Sequence, residues 1–377
     1  MPTVLVTAFE PSGDAHAAPL VRALLASAPG VRVVGWGGPR MRDAGCELVG
    51  ETARDGAMTL VGLRKILEVR RIVRDIRAWV TANPVDVHVP VDSPAANWHI
   101  ASWMKRHGRG AAGGSRVVNL VAPQLWAWAP WRIRKWRRTS DAIMCLLPFE
   151  EEWFRSRGVN AVFVGHPVLA HPVDAAARAR AAALPAGGPR LLLLPGSRSS
   201  EVRANMPRML EAFRAASAAR PRLTGLVMAA NEALVPLVRE AARGAAWPPN
   251  LHVAHGDPDA AIAWCDCALT LSLDLAHQRK PMVAVYWVGW FRALASRFIL
   301  TMPDRLLPNI VAGRRIVPEF VPYAGGTGPV VRALEPFLDD PAARERTARA
   351  LDAVARRFEG HDPGREAAEV VRGFLPR

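Results

Sequence analysis

The chain alternates short, almost wholly apolar runs with stretches of helical spacing, and this rhythm restricts the fold more than any single motif. The runs are Val4–Ala8, Val31–Gly35, Val85–Val91, Val117–Val121, Ala142–Leu147 and Ala161–Val164. A second series is Leu191–Pro195, Leu223–Ala229, Leu251–Ala254, Cys267–Leu271 and Met282–Tyr286. A strand that is apolar at nearly every residue leaves no face for water, so it belongs in a parallel sheet covered on both sides. Stretches with helical spacing, such as Leu63–Val80 and Pro207–Ala219, lie between the runs. The expectation is an α/β protein of two Rossmann-like, doubly wound parallel sheets facing a cleft. A chain of 377 residues is long enough for two such cores. Residues 166–190 carry prolines and glycines at both ends and read as a linker with a short helix. The expected division is 1–168, then 169–345, with a C-terminal helix over 346–377 packing back on the body.

The formal net charge is +15, which attracts phosphates, nucleic acid or anionic lipid. Only four of the 49 basic residues are Lys, and Ala, Gly and Pro are abundant, so a GC-rich genome accounts for the excess equally well. Cys46, Cys145, Cys265 and Cys267 fit neither a zinc ligand set nor a disulfide framework, and a cytoplasmic setting is expected. The first residues read as a β-strand and not a signal peptide. The longest aromatic-apolar run, Val283–Phe291, ends at Arg292 and is too short to span a bilayer, so any membrane role is expected to be peripheral.

Three strand ends carry candidate chemistry. Leu191–Val202 (LLLLPGSRSSEV) reads as a buried strand, a turn at Gly196 and a helix that Ser199 or Ser200 would cap. Free N–H groups at a helix start and the Arg198 fork suit a diphosphate. A plain strand-to-helix turn with a surface Arg is the competing reading, and the GK[ST] ending of a Walker loop is absent. After Val4–Ala8 come Glu10, Ser12, Gly13 and Asp14, which either line a site or cap a helix. After Val85–Val91 comes Asp92-Ser93-Pro94. Asp92 stands where α/β enzymes place cleft residues and suits a general base on a hydroxyl; a turn Asp before Pro explains it as well.

Residues 125–138 (LWAWAPWRIRKWRR) hold four Trp and five basic residues in fourteen positions. Trp131, Arg132, Arg134 and Trp136 suit a membrane interface, and the same composition suits stacking on single-stranded nucleic acid. Trp126 and Trp128 are candidates for burial. In 58–80 the apolar residues recur at helical spacing, more often the mark of a core-facing helix; Met58, Leu60 and Leu63 would also suit an acyl chain.

In order along the chain, Phe9–Asp14 (FEPSGD), Gly37–Met41 with Ala44–Cys46, Val91–Pro94, Val121–Trp128, Leu147–Glu150, Val164–Pro167, Leu194–Arg198 with Glu201, and Leu307–Arg314 with Val317–Glu319 resemble the motifs of lipid-A-disaccharide synthase, a GT-B glycosyltransferase. The resemblance covers about residues 4–320. It implies transfer, with inversion, of a 2,3-diacylglucosamine from UDP to 2,3-diacylglucosamine 1-phosphate, giving lipid A disaccharide 1-phosphate and UDP. It implies that the first domain takes the acceptor and the second the UDP-sugar. Asp92 would be the base, and Gly196, Ser197 and Arg198, followed by Glu201, would hold the diphosphate. Glu10 and Asn309 would line the cleft. Neither cofactor nor metal is implied. A cytoplasmic enzyme peripheral to the inner membrane, with no nucleic-acid partner, follows; a homodimer stays open.

The chain departs from the family pattern where Asp274 stands at the position of a ribose-gripping Glu, in a region about four residues shorter. Other departures are Ala95 and Ala96 after Pro94, Gly62 and Phe9. Three alternatives remain: another UDP-sugar GT-B enzyme or related epimerase, a catalytically impaired paralogue, and a non-catalytic basic protein that binds membrane or nucleic acid.

Overall fold

Strand β1 (Thr3–Ala8) is buried along its whole length, and its side chains alternate between two cores. Val4, Val6 and Ala8 face one apolar cluster, and Leu5 faces the other. That is the packing expected of a strand covered on both sides. The computed structural model describes residues 1–53, 63–110, 113–170, 172–242, 244–270, 273–291, 293–294 and 302–376, without the side chains of 63–66 and 113.

The chain forms two compact units: residues 1–170 with 360–377, and residues 171–359. In the first unit β2 (Arg32–Gly37), β3 (Glu47–Glu51), β4 (Val87–Val91), β7 (Arg116–Leu120), β8 (Ala142–Cys145) and β9 (Ala161–Phe163) join β1 in a seven-stranded sheet. Its order is β3-β2-β1-β4-β7-β8-β9. All six pairings are parallel. A two-residue hairpin, β5 (Arg109–Gly110) with β6 (Gly113–Gly114), stands apart. Helices α1 (Pro11–Ser27), α2 (Pro39–Asp43), α3 (Leu63–Ala82), α4 (Pro94–His107), α5 (Leu125–Trp128), α6 (Ile133–Thr139) and α7 (Pro148–Arg155) complete its main connections.

The second unit has β10 (Arg190–Leu193), β11 (Thr224–Ala229), β12 (Leu251–His255), β13 (Cys267–Thr270), β14 (Met282–Trp287) and β15 (Glu319–Tyr323). They form a parallel sheet in the order β12-β11-β10-β13-β14-β15. Both sheets are doubly wound, with the strand order reversing between β1 and β4 and between β10 and β13. The crevice beyond the strand ends at such a reversal is where α/β folds bind ligands.

Two strands of the large sheets lie outside the apolar runs read from the sequence. β3 reads Glu47-Leu-Val-Gly-Glu51 at the sheet edge, where no residue is fully buried, and β15 contains Pro322, which an edge position tolerates. The charged C-terminal stretch is two helices divided between the units. Pro341–Ala355 packs in the second, and Pro363–Arg372 returns to the first against α1. Gly364 permits that close approach, since a Cβ there would lie 2.9 Å from Pro19 Cβ and Pro19 O.

Candidate active-site residues in the two units

In the first unit the ends of β1 and β4 meet at the strand reversal. Glu10 is the N-cap of α1 through its backbone alone, with Pro11 at the first helical position. Ser12 Oγ, one residue further on, donates to Asp92 Oδ2 at 3.2 Å. Gly13 lets the helix lie against the strand end: a Cβ there would meet Ala8 Cβ at 3.2 Å and Val91 O at 3.3 Å. Asp14 is buried and faces the other way. Its carboxylate accepts from the N–H groups of Gly38 (2.9 Å), Arg40 (3.0 Å) and Met41 (3.0 Å), so it caps α2 from a distance. The FEPSGD and GGPRM segments are thus two halves of one structural joint.

Asp92 has φ 49°, Ser93 φ 44° and Val121 φ 69°. Three of the four non-glycine residues with positive φ among the described residues stand at this end of the sheet. Left-handed backbone costs about 1–2 kcal/mol per residue, and Pro94 further disfavours an α-type conformation at Ser93. Strain of this kind persists where surrounding structure over-determines it, as at active sites. Asp92 lies in a pocket of about 310 Å³ whose walls include Asn119, Val121, Gln124, Trp128 and Trp136. A carboxylate in a pocket that indole rings and side-chain amides help to line can hold a sugar ring and accept a proton from one of its hydroxyls.

One wall of the pocket is tied down from behind. Glu150 is buried, accepts from Trp126 Nε1 at 3.0 Å and from the Leu147 N–H at 3.1 Å, and so joins α5 to the start of α7. Burial pushes its carboxyl up to about 7, against the pull of those hydrogen bonds. His16 follows Ser12 by one helical turn. Burial lowers its pKa and the charge of Asp92 partly restores it; its buried Nδ1 has no hydrogen-bond partner among the described residues.

In the second unit β10 ends at the LPGSR loop. Gly196 holds φ 129°, a conformation reserved for glycine, and a Cβ there would lie 2.5 Å from Glu201 Cβ. Arg198, not Ser199 or Ser200, is the N-cap of the helix Ser199–Ala218. The cap is supplied from within the helix: Glu201 Oε2 accepts from the Ser197 N–H (3.0 Å) and the Arg198 N–H (3.3 Å), and its Oε1 from Arg198 Nη1 (3.0 Å). A carboxylate therefore rests on the donors that a phosphate would use, and Glu201 is a loop-holding group. Asn205 buttresses the loop from below, donating to Pro195 O at 2.9 Å and accepting from the Trp287 N–H at 3.2 Å.

A model of the lipid-A-disaccharide synthetase family matches residues 4–335. The chain belongs to that family. Curated lipid-A-disaccharide synthases from Anaeromyxobacter sp. (strain K), Myxococcus xanthus and Pseudomonas aeruginosa (strain LESB58) are 33%, 32% and 32% identical to it, covering 98%, 100% and 99% of this chain and 96%, 98% and 98% of their own. Solved structures with a similar fold include a UDP-GlcNAc 2-epimerase from Neisseria meningitidis bound to UDP-GlcNAc (TM-score 0.61, 10% identity, 99% of both chains). Another is a UDP-glucose: anthocyanidin 3-O-glucosyltransferase in complex with UDP (TM-score 0.58, 11% identity, 99% of this chain and 98% of that one). The fold is therefore GT-B, and the chain is a hexosyltransferase of the lipid-A-disaccharide synthase family. The family implies a UDP-sugar donor and a sugar acceptor.

Two residues expected at the ligand or the membrane are otherwise engaged in this synthase. Asn309 is fully buried, and its amide is saturated. It donates to Val317 O (3.1 Å) and Glu319 Oε2 (3.0 Å) and accepts from the N–H groups of Ile316 (2.9 Å) and Val317 (3.0 Å). Glu319 also accepts from the N–H groups of Arg305 and Leu306, so the LPNIVAGR and VPE motifs form one clasp and Asn309 lines no surface. Trp136 is buried against Leu125, Ile143 and Phe154, because the spacing of α6 turns it inward while Arg134 and Arg137 turn out. Trp131 is 68% exposed, and Arg132 stacks on Trp128 at 4.6 Å. Asp274 is exposed at the start of the helix Asp274–His277. Met58, Leu60, Gly62 and the side chain of Leu63 lie outside the described residues.

Proposed function

We propose that this synthase transfers a 2,3-diacylglucosamine from UDP to the 6-hydroxyl of 2,3-diacylglucosamine 1-phosphate, releasing UDP and leaving a β-1,6-linked disaccharide 1-phosphate. The observation that carries the reading is Asp92, a carboxylate in strained backbone, in an indole-walled pocket at the strand reversal of the first unit. As the acceptor hydroxyl attacks the anomeric carbon, Asp92 takes its proton. The bond to the UDP oxygen breaks with inversion, and charge grows on the diphosphate. Gly196, Ser197 and Arg198 meet that charge at a helix N-terminus, once Glu201 yields its place on the Ser197 and Arg198 N–H groups. Asp274 takes a ribose hydroxyl, and Glu10 and Ser12 border the acceptor.

The acyl chains require the substrates to be met at a membrane. In the first unit Trp131 is exposed and Arg132 and Arg134 lie beside it, which suits an anionic inner-membrane surface. No helix among the described residues is long and apolar enough to cross a membrane. A product assay with the lipid donor and acceptor tests the reading. Formation of the disaccharide phosphate with one UDP per bond is expected; UDP release without disaccharide would point to another acceptor. Sedimentation with anionic but not neutral vesicles is expected for the membrane contact, and equal binding to both would remove the basic residues from it.

A further inference from the structure

Asp92 and Ser93 keep a backbone conformation that neither adopts by preference, and the buried groups behind them account for it. Asn97, on α4, is itself buried. Its Nδ2 faces three carbonyl oxygens: Asp92 O at 2.7 Å, Val91 O at 3.0 Å and Thr7 O at 3.3 Å. Only the NH2 end of an amide can face three acceptors, so the side chain has one orientation. Its Oδ1 then accepts the Thr7 hydroxyl proton at 2.7 Å.

That hydroxyl has a single proton, already committed. Its 2.9 Å contact with His88 Nε2 is therefore accepted from the imidazole N–H. The tautomer of His88 follows, with the proton on Nε2 and a bare, buried Nδ1 that has no partner among the described residues. Burial lowers the His88 pKa to about 3, so the ring stays neutral across the working range and the Nε2–H remains a donor. The direction of every bond is fixed, from His88 on β4, through Thr7 on β1, to Asn97, and on to the backbone of Asp92.

We infer that Asn97 is the positioning residue for the Asp92 carboxylate, and that Thr7 and His88 orient Asn97. The inference rests on Asp92 acting as the acceptor-side base. It assigns a catalytic consequence to Thr7 and His88, which are fully buried away from the pocket, and to Asn97, which borders the pocket beside Asp92. Without the three donated contacts, the Asp92–Ser93 turn relaxes toward ordinary negative φ and the carboxylate leaves the line of attack.

Two substitutions at Thr7 separate positioning from packing. Thr7→Val keeps the shape and removes the hydroxyl; Thr7→Ser keeps the hydroxyl and loosens the packing. Thr7→Val is expected to lower kcat at least tenfold while leaving the acceptor KM and the UDP-induced rise in Tm unchanged. Thr7→Ser, though less stable, is expected to keep kcat within threefold of wild type. Wild-type kcat in Thr7→Val, or kcat losses in both variants that follow their losses of Tm, would overturn the inference. A crystal structure of Asn97→Ala supplies a readout that needs no substrate: φ of Asp92 is expected to turn negative, and an unchanged Asp92–Ser93 turn would overturn the inference as well. Failure of the wild-type enzyme to join the lipid pair would instead count against the transferase reading, leaving the crystallographic result to decide on Asn97.

Discussion

Ser12 Oγ donates to Asp92 Oδ2 at 3.2 Å, joining the first turn of α1 to the end of β4 across 80 positions of chain. The contact engages one carboxylate oxygen, and under the proposed mechanism the other takes the proton of the acceptor hydroxyl. Asp92→Asn keeps the shape and removes the basicity. Turnover is expected to fall by about 10²–10⁴, the range over which a general base contributes, with UDP binding intact. Ser12→Ala removes one exposed hydrogen bond to a charge and is expected to cost about tenfold at most. Steady-state rates alongside UDP melting shifts check both; an Asp92→Asn enzyme within threefold of wild type would remove Asp92 from the base role.

The LPGSR loop predicts a different pattern. Gly196→Ala forces a side chain into left-handed backbone and brings its Cβ to 2.5 Å from Glu201 Cβ. The strain is about 1–3 kcal/mol, and it falls on the residue that holds the loop. Lower Tm is expected, together with loss of the stabilisation that UDP gives the wild-type protein. If saturating UDP raised the Tm of this variant as much as that of wild type, the diphosphate would have to sit elsewhere.

Glu150 predicts a pH dependence of stability. Its carboxyl is raised by burial from 4.5 to about 7 in the folded chain, so folding favours its protonated form. The resulting stability is fully present below the unfolded pKa and is lost as pH rises through about 7; in full it amounts to about 3 kcal/mol. Glu150→Gln removes this dependence and leaves the other titrating groups in place. Between pH 5 and pH 8, wild type is expected to lose about 2 kcal/mol more than the variant, measured by denaturant unfolding at each pH. Parallel pH profiles for the two proteins would show that Glu150 is ionised throughout.

The parts of this fold visible in the sequence are those set by local chemistry. β1 and β10 are buried on both faces, so their apolar runs announce them, and the Gly196 turn and the Asp92 terminus stand at strand ends where a doubly wound sheet gathers its ligands. β3 escaped because an edge strand needs no continuous apolar run, and β15 because Glu319 and Pro322 interrupt its pattern. The functions of Asn97 and Glu150, and the distant helix that Asp14 caps, escaped for another reason. Each is a polar residue whose partner lies in a different segment, and a buried hydrogen bond between distant segments leaves no periodic trace. Glu201 shows the limit of motif reading: it follows the phosphate loop, yet its carboxylate rests on the loop's own N–H groups.

Asn309 offers a test between ligand contact and architecture. Its four hydrogen bonds close the clasp between the helix Leu307–Ala312 and the strand entry at Glu319. Asn309→Ala strands the part-buried N–H of Ile316, the buried N–H of Val317 and the carbonyl of Val317. Each unpaired group costs about 1–3 kcal/mol, and water entering the gap recovers part of that. A loss of several degrees in Tm is expected, since about 1 kcal/mol shifts a domain of this size by 2–4 °C. The donor KM of the protein that remains folded is expected to stay within about threefold of wild type, as the amide is spent inside the fold. A variant with wild-type Tm and a strongly raised donor KM would reverse the assignment and return Asn309 to the nucleotide site.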